Sequence, residues 1–357
     1  MSTLVYLHDY TIASAGLTPL GRNIPTTTDF NEFQTSDATL KIAIVEFDYC
    51  NGGYVAKPTI NLLADLAFAD LVMFRSIEGN PVIETIIKNS DRANCIFFLA
   101  YVPAVELEHA TVVHDMYWLK STASFYIDGS PTFNIGVHPY TQKDMSFDVM
   151  YGIEKPHRRF VKDYINSNSQ FLESRFLDRS SVYNDSYGNA DDIFWEDGII
   201  RDEVADMIIH NGSHMLASQV MPTKVYNKTA YSIICETDFS NNYTFPTEKV
   251  SKPMIAGRLF IVIGSQNYLK GLRKLGFKTF DGIIDESYDS IEDHPTRWQA
   301  AMDEAMKLTQ RPQAEIFKKC STIFKHNQEQ LIKMQYPYFT LERYLEEYIN
   351  RASFEQV

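Results

Sequence analysis

Residues 234–264, ICETDFSNNYTFPTEKVSKPMIAGRLFIVIG, read as a strand, a polar loop, a helix and a second strand. The apolar run Ser232 to Cys235 ends in Glu236, and Leu259 to Ile263 forms a second run closed by Gly264. Between them Val250, Pro253, Met254 and Gly257 recur at helical spacing, which gives the connecting helix one buried face. Pro253 has no N–H to give, so that helix is expected to bend or to begin irregularly. It starts at Thr247-Glu248-Lys249. Unpaired backbone N–H groups and the positive end of the helix dipole favour an anion there, and the lysine adds a full charge. This is a phosphate site in outline, and equally the pattern of an ordinary charged helix cap.

Upstream, Phe147 to Ile153 reads as a strand, and Pro156-His157-Arg158-Arg159 opens an amphipathic helix running through Tyr164. Proline suits a first helical turn, and the arginine pair beside it can face an anion or solvent. Residues 180–198 are polar and acidic; Asp191-Asp192 lacks the Asp-x-Asp spacing of a metal pair and reads as solvated loop. A helix is expected from Ile199 to His210. His210 and His214 are four apart, but Gly212 interrupts them and no third ligand is near, which argues against zinc. Downstream, Tyr268 to Leu275 forms a helix ended by Gly276. After KTFDGIIDESYDSIED the chain is helical, at Trp298 to Leu308, Ala314 to Met334 and Leu341 to Ile349.

The first half carries short apolar runs at Leu4 to Leu7, Leu40 to Phe47 and Cys95 to Val102, with helical candidates at Ile60 to Phe68 and Pro81 to Lys88. Buried strands alternating with helices mark an α/β fold with a mainly parallel sheet, whose ligands collect at the carboxyl ends of the strands. His8, Glu46, Asp48, Gly52-Gly53, Glu106 and Glu108 fall at those ends. Residues 127–145, IDGSPTFNIGVHPYTQKDM, have two prolines, two glycines and no apolar period, and read as the linker between two halves.

At 357 residues the chain exceeds what one hydrophobic core usually serves, so two domains are expected. A hydrophobic content of 45% with 22% charged residues is that of a folded globular protein, which excludes disorder. The net charge of −13 opposes broad attachment to nucleic acid or an anionic membrane and leaves only a local basic patch for either. Cys50, Cys95, Cys235 and Cys320 are far apart, with no Cys-x-x-Cys pair, so neither a zinc site nor a disulfide framework is indicated and a reducing cytoplasm is the expected setting. No window approaches the roughly 20 apolar residues of a membrane span, and the N-terminus lacks a signal-peptide pattern.

Two α/β halves, a linker and an anion-binding helix start in the second half resemble the plan of a GT-B glycosyltransferase. The segment from Glu236 to Gly264 resembles the donor-site motif of the α1,3-fucosyltransferase type: a Glu ending one strand, a polar loop, Thr-Glu-Lys, a helix and a Gly-bounded strand. Glycosyltransferases encoded by tailed bacteriophages are similar over more of the chain. In them the motif runs into Leu-Arg-x-Leu-Gly-Phe-Lys-Thr-Phe and Asp-Glu-Ser-Tyr-Asp, here Leu272 to Phe280 and Asp285 to Asp289, and Pro156-His157-Arg158 matches their second-domain opening. The resemblance covers about residues 145–300; the first half matches only in layout.

The resemblance implies two Rossmann-like domains facing a cleft. Residues 1–140 would form the acceptor-side domain, 145–310 the nucleotide-sugar domain and 311–357 helices packing across both. It implies that Glu248 holds the ribose, that Lys249, beside Thr247, and Arg158 neutralise the diphosphate, and that Glu236 lies near the transferred sugar. Thr237 and Asp238 replace the Asn-Ser of fucosyltransferases, so fucose is not implied. The implied activity is a metal-independent, cofactor-free transfer from a UDP- or GDP-sugar to a hydroxyl, in the host cytoplasm if the chain is phage-encoded.

A first-domain carboxylate would deprotonate the acceptor. Asp48 is the residue chosen, with Glu46, Glu106 and Asp115 as rivals. The acceptor is left open between a hydroxymethylated base in phage DNA and a glycan or small molecule. Lys120, Lys143, Lys155, Arg158, Arg159 and Lys162 are the residues available for a basic DNA groove. A non-catalytic module binding a nucleotide or phosphate is the alternative from another class.

Overall fold

Continuous runs of β-branched and aromatic residues, too apolar to face water on either side, build two parallel sheets. In a computed structural model of the chain, the described residues are 2–8, 24–47, 49–50, 54–55, 64–76, 94–103, 111–124, 126, 141–152, 154–166, 168–173, 200–201, 207–210, 213–216, 220–334 and 340–354. The chain divides into two units, Met1–Tyr117 with Tyr336–Val357, and Trp118–Gln335. Of the 127–145 linker, only 141–145 is described.

The first unit holds strands β1 (Thr3–His8), β2 (Thr26–Thr27), β3 (Leu40–Phe47), β6 (Leu71–Ser76), β7 (Cys95–Leu99) and β8 (Thr111–His114), with a small antiparallel pair β4 (Tyr49–Cys50) and β5 (Tyr54–Val55). The six-stranded sheet runs β2-β1-β3-β6-β7-β8, parallel throughout. Residues Ile42 to Val45 and Val72 to Phe74 are fully buried. Helix α1 (Phe30–Thr35) is capped by Asp29, whose carboxylate accepts the Asn31 and Glu32 N–H groups. Strand β6, with Arg75 and Ser76 at its end, was not legible as a strand in the sequence. Of the expected helix Ile60 to Phe68, residues 60–63 lie outside the described residues, Ala64 and Asp65 are helical, and Leu66 to Phe68 form a turn. Pro81 to Lys88 lies outside the described residues.

The second unit begins with α2 (Tyr117–Ser124) at the junction, followed by β9 (Met145–Val149), α3 (Pro156–Ile165) and β10 (Phe171–Glu173). The helix expected over Ile199 to His210 is not formed. That stretch supplies β11 (Ile200–Arg201) and β12 (Met207–His210), which pairs antiparallel with β13 (Ser213–Leu216). Met-Ile-Ile followed by Asn211-Gly212 explains the outcome: β-branched residues favour the pleated sheet, and Asn-Gly between His210 and its partner Ser213 is a strong hairpin signal.

Next come α4 (Thr223–Lys228), β14 (Thr229–Cys235), α5 (Glu248–Ile255), β15 (Phe260–Ile263), α6 (Tyr268–Lys274), a 3₁₀ turn at Glu286–Ser290, α7 (His294–Thr309) and α8 (Gln313–Met334). The second sheet runs β10-β9-β14-β15, all parallel, with β14 buried along its whole length. Finally α9 (Thr340–Phe354) returns to the first unit, where Leu341 and Leu345 are buried with Val5, Ile42, Ile44, Met73 and Phe98.

A buried ion pair locks the second sheet. Asp148 on β9 accepts from Arg258 at 2.7 Å, from Ser232 at 2.9 Å and from Thr229 at 3.1 Å, all on one oxygen. Arg258 also donates to the carbonyls of Tyr226, Thr229 and Tyr231 and stacks 4.1 Å from the Tyr226 ring. Burial raises the Asp148 carboxyl above its usual range against the opposing pull of Arg258 and the two hydroxyls.

Candidate functional site

At the carboxyl edge of this sheet β9 leads into α3 and β14 leads into α5, so the starts of both helices and the loop 236–247 share one edge. Glu236, fully buried, organises that loop. One carboxylate oxygen accepts the Tyr268 hydroxyl at 2.5 Å and the Thr247 N–H at 3.2 Å; the other accepts the Thr247 hydroxyl at 2.8 Å and the Thr237 N–H at 3.0 Å. Both ends of the loop are thus tied to one side chain. Thr244 presses its middle against Gly271, where a Cβ would lie 2.0 Å from the Thr244 hydroxyl, so only glycine admits the approach.

The helix starts where the sequence placed it, at Thr247-Glu248-Lys249; Thr247 is the N-cap of α5, and its hydroxyl accepts the Lys249 N–H. The Lys249 ammonium donates to Glu248 at 2.9 Å, to the Thr237 hydroxyl at 3.1 Å and to the Thr247 hydroxyl at 3.4 Å. Burial would raise the Glu248 carboxyl, but Lys249 and then Lys252 outweigh it and hold it below its ordinary range. Lys252, one turn on, is pushed down to about 8, mainly by burial and further by Lys249, against the pull of Glu248.

From α3, the buried Arg158 guanidinium donates to the Glu236 carbonyl at 3.1 Å and the Cys235 carbonyl at 3.4 Å. Gly152 makes room for it, since a Cβ there would lie 3.0 Å from the guanidinium. Lys155 donates to the Thr237 carbonyl at 2.6 Å and pairs with Asp238 at 3.6 Å. Arg159, by contrast, is exposed and pairs with Glu154. Arg158, Glu236, Thr247, Glu248 and Lys249 therefore converge, and Lys155, His157, Lys252 and Tyr268 join them. Lys252 carried a sequence signal, its i+4 spacing from Glu248; Tyr268 carried none, because only the fold brings it to Glu236.

His157 is fully buried beside Phe239 and Trp298. It lies 2.8 Å from the Glu236 carbonyl, which only accepts, so Nε2 carries the proton and donates. Burial, and then the charge of Arg158, lowers its pKa to about 3, so the ring is neutral. The loop is closed from the far side by Arg297, which donates to the carbonyls of Phe239, Gly264, Ile291 and Glu292.

The segments Leu272 to Phe280 and Asp285 to Asp289 interlock behind the edge. Asp289 accepts the Leu269 and Lys270 N–H groups at the start of α6, while Glu286 binds Arg273, the Thr279 hydroxyl and the Phe280 N–H. These residues hold α6, and hence Tyr268, in place.

Asp48 and Glu106 lie outside the described residues, and for Glu46 only the backbone is described, on β3. Asp115 is buried just after β8, in the first unit. Among the described residues no three His, Cys, Asp or Glu side chains cluster as a metal site requires, and no helix is long and apolar enough to cross a membrane. No family model matches the chain, and no curated protein matches it in sequence.

Proposed function

We propose that the chain is a GT-B glycosyltransferase that moves a sugar from a nucleoside diphosphate to a hydroxyl acceptor. The observation that carries this reading is the gathering of Arg158, Lys249 and Lys252 around the start of α5, at the carboxyl edge of a parallel sheet. In the transfer the bond between the anomeric carbon and the β-phosphate oxygen breaks, and its electron pair leaves with the diphosphate. Fixed cations and a helix terminus stabilise that charge where it develops, which makes the proposed reaction metal-independent. The acceptor oxygen bonds to the anomeric carbon, and its proton passes to a first-unit carboxylate, for which Asp48 is proposed.

Glu248 is proposed to hold the ribose. Glu236 has its carboxylate occupied by Thr237, Thr247 and Tyr268, so the role proposed for it is to shape the donor loop rather than to touch the sugar. The proposed acceptor is a hydroxymethylated DNA base, with a glycan or small molecule as the competing class.

A panel of UDP- and GDP-sugars tests the reading through thermal shift and release of nucleoside diphosphate, with and without hydroxymethylated DNA. The correct donor raises the melting temperature by mass action, and Lys249→Ala or Arg158→Ala weakens its binding by about tenfold or more. Stabilisation without turnover points to a non-catalytic module. If no nucleotide sugar stabilises the protein or yields product, the proposal is wrong. Turnover that is indifferent to DNA at low salt removes the DNA acceptor.

A further inference from the structure

Lys249 has three N–H groups and three acceptors, the Glu248 carboxylate, the Thr237 hydroxyl and the Thr247 hydroxyl. An arriving anion must displace one of them. Lys252 differs. It is only 8% exposed, yet among the described residues its ammonium has no hydrogen-bond acceptor and no carboxylate at ion-pair distance. Helical side chains lean toward the N-terminus, and residues four apart lie on one stripe, so the Lys252 stem runs from the second turn toward the first, where Glu248 sits. Glu248 and Lys249 are the described charges that act on it; β14, α2 and α8, the elements packed on α5, add none. The stem is buried while the ammonium keeps contact with solvent, so an arriving anion can reach a charge that no described protein group has taken.

We infer that Lys252 is an anion-pairing amine of the α5 terminus, closing on the diphosphate group of the donor while Lys249 holds Glu248 and the loop in position. The inference deepens the proposed donor site and rests on it for the nucleoside; the diphosphate chemistry stands separately. The lowered pKa of Lys252 adds a distinctive readout. An approaching diphosphate favours the charged amine, so binding near its pKa draws a proton from solution.

The test is isothermal titration of the full chain with UDP, with GDP and with inorganic pyrophosphate, near pH 8 in two buffers of different ionisation enthalpy. The wild type is expected to take up a substantial fraction of a proton. Lys252→Met is expected to bind at least tenfold more weakly without that uptake, and Lys252→Arg to bind without it. Lys252→Met should also melt no lower than wild type in the absence of ligand, which separates lost binding from lost folding.

Lys252→Met binding within twofold of wild type with unchanged proton uptake overturns the assignment of Lys252. Binding of pyrophosphate but of neither nucleotide, still dependent on Lys252, sustains the assignment and overturns the nucleotide-sugar reading. Failure of the wild type to bind any of the three overturns the anion site itself.

Discussion

Glu236 shows how one carboxylate can fix both ends of a loop. Its four acceptor contacts come from the chain on both sides of the loop and from α6. Each carboxylate oxygen of Glu236 accepts one backbone N–H, from Thr247 or from Thr237, which can only donate, so the amide of Glu236→Gln faces a donor with a donor in either orientation and a loss of about 2–3 kcal/mol is expected in urea unfolding, with nucleotide affinity falling alongside. His157 has a folded pKa of about 3, below its unfolded value of 6.5. Its contribution is therefore complete above about pH 6.5 and is lost as acid approaches the folded pKa, because the unfolded chain takes a proton that the folded ring refuses. Between about pH 7 and about pH 5 this group alone should cost about 2 kcal/mol. Urea unfolding of His157→Gln across the same range should show a shallower decline; an unchanged slope would assign the acid sensitivity elsewhere.

At the scale of elements, the ends of helices are satisfied by side chains from distant helices. Gln328 on α8 donates to the Ile255 carbonyl at the end of α5, Gln330 to the Leu275 carbonyl after α6, and Asn327 both donates to and accepts from the Lys278 backbone. Asn327→Ala strands two backbone groups and should cost about 1–3 kcal/mol, measured by denaturant unfolding. Gly271→Ala drives a methyl into Thr244 and should cost at least about 2 kcal/mol. Thr244→Gly in the same chain is expected to recover part of that loss; no recovery would place the strain elsewhere. In sequence these glutamines read as the solvated face of an amphipathic helix, since periodicity shows which face is polar but not which carbonyls it meets.

Across the whole molecule, the last helix completes the first unit, so the two ends of the chain share one core. Truncation after Met334 removes Leu341 and Leu345 from contact with Ile42, Met73 and Phe98. Each lost leucine is comparable to a core deletion of about 2–5 kcal/mol, more than a unit of this size commonly spares. Calorimetry and limited proteolysis of the truncated chain should show the first unit melting early or cleaved, with Trp118–Gln335 retaining its own transition. A single transition at the wild-type temperature would refute this dependence.

The sequence alone determined the α/β class and the apolar runs at β1, β3 and β14, and, around the site, the start of α5 at Thr247-Glu248-Lys249 and the opening of α3 at Pro156. Those are local properties, set by side-chain period, caps and proline. Where local signals compete, the reading was weaker. Residues 199–210 looked helical by composition, and β-pairing across Asn211-Gly212 decided otherwise. Only the tertiary structure decided that Tyr268 meets Glu236, that Arg158 reaches over Gly152 to the end of β14, and that Lys249 is occupied while Lys252 is not. These contacts join residues far apart in the chain, and their energies come from burial and from the matching of donors to acceptors, quantities that exist only once the strands are in register.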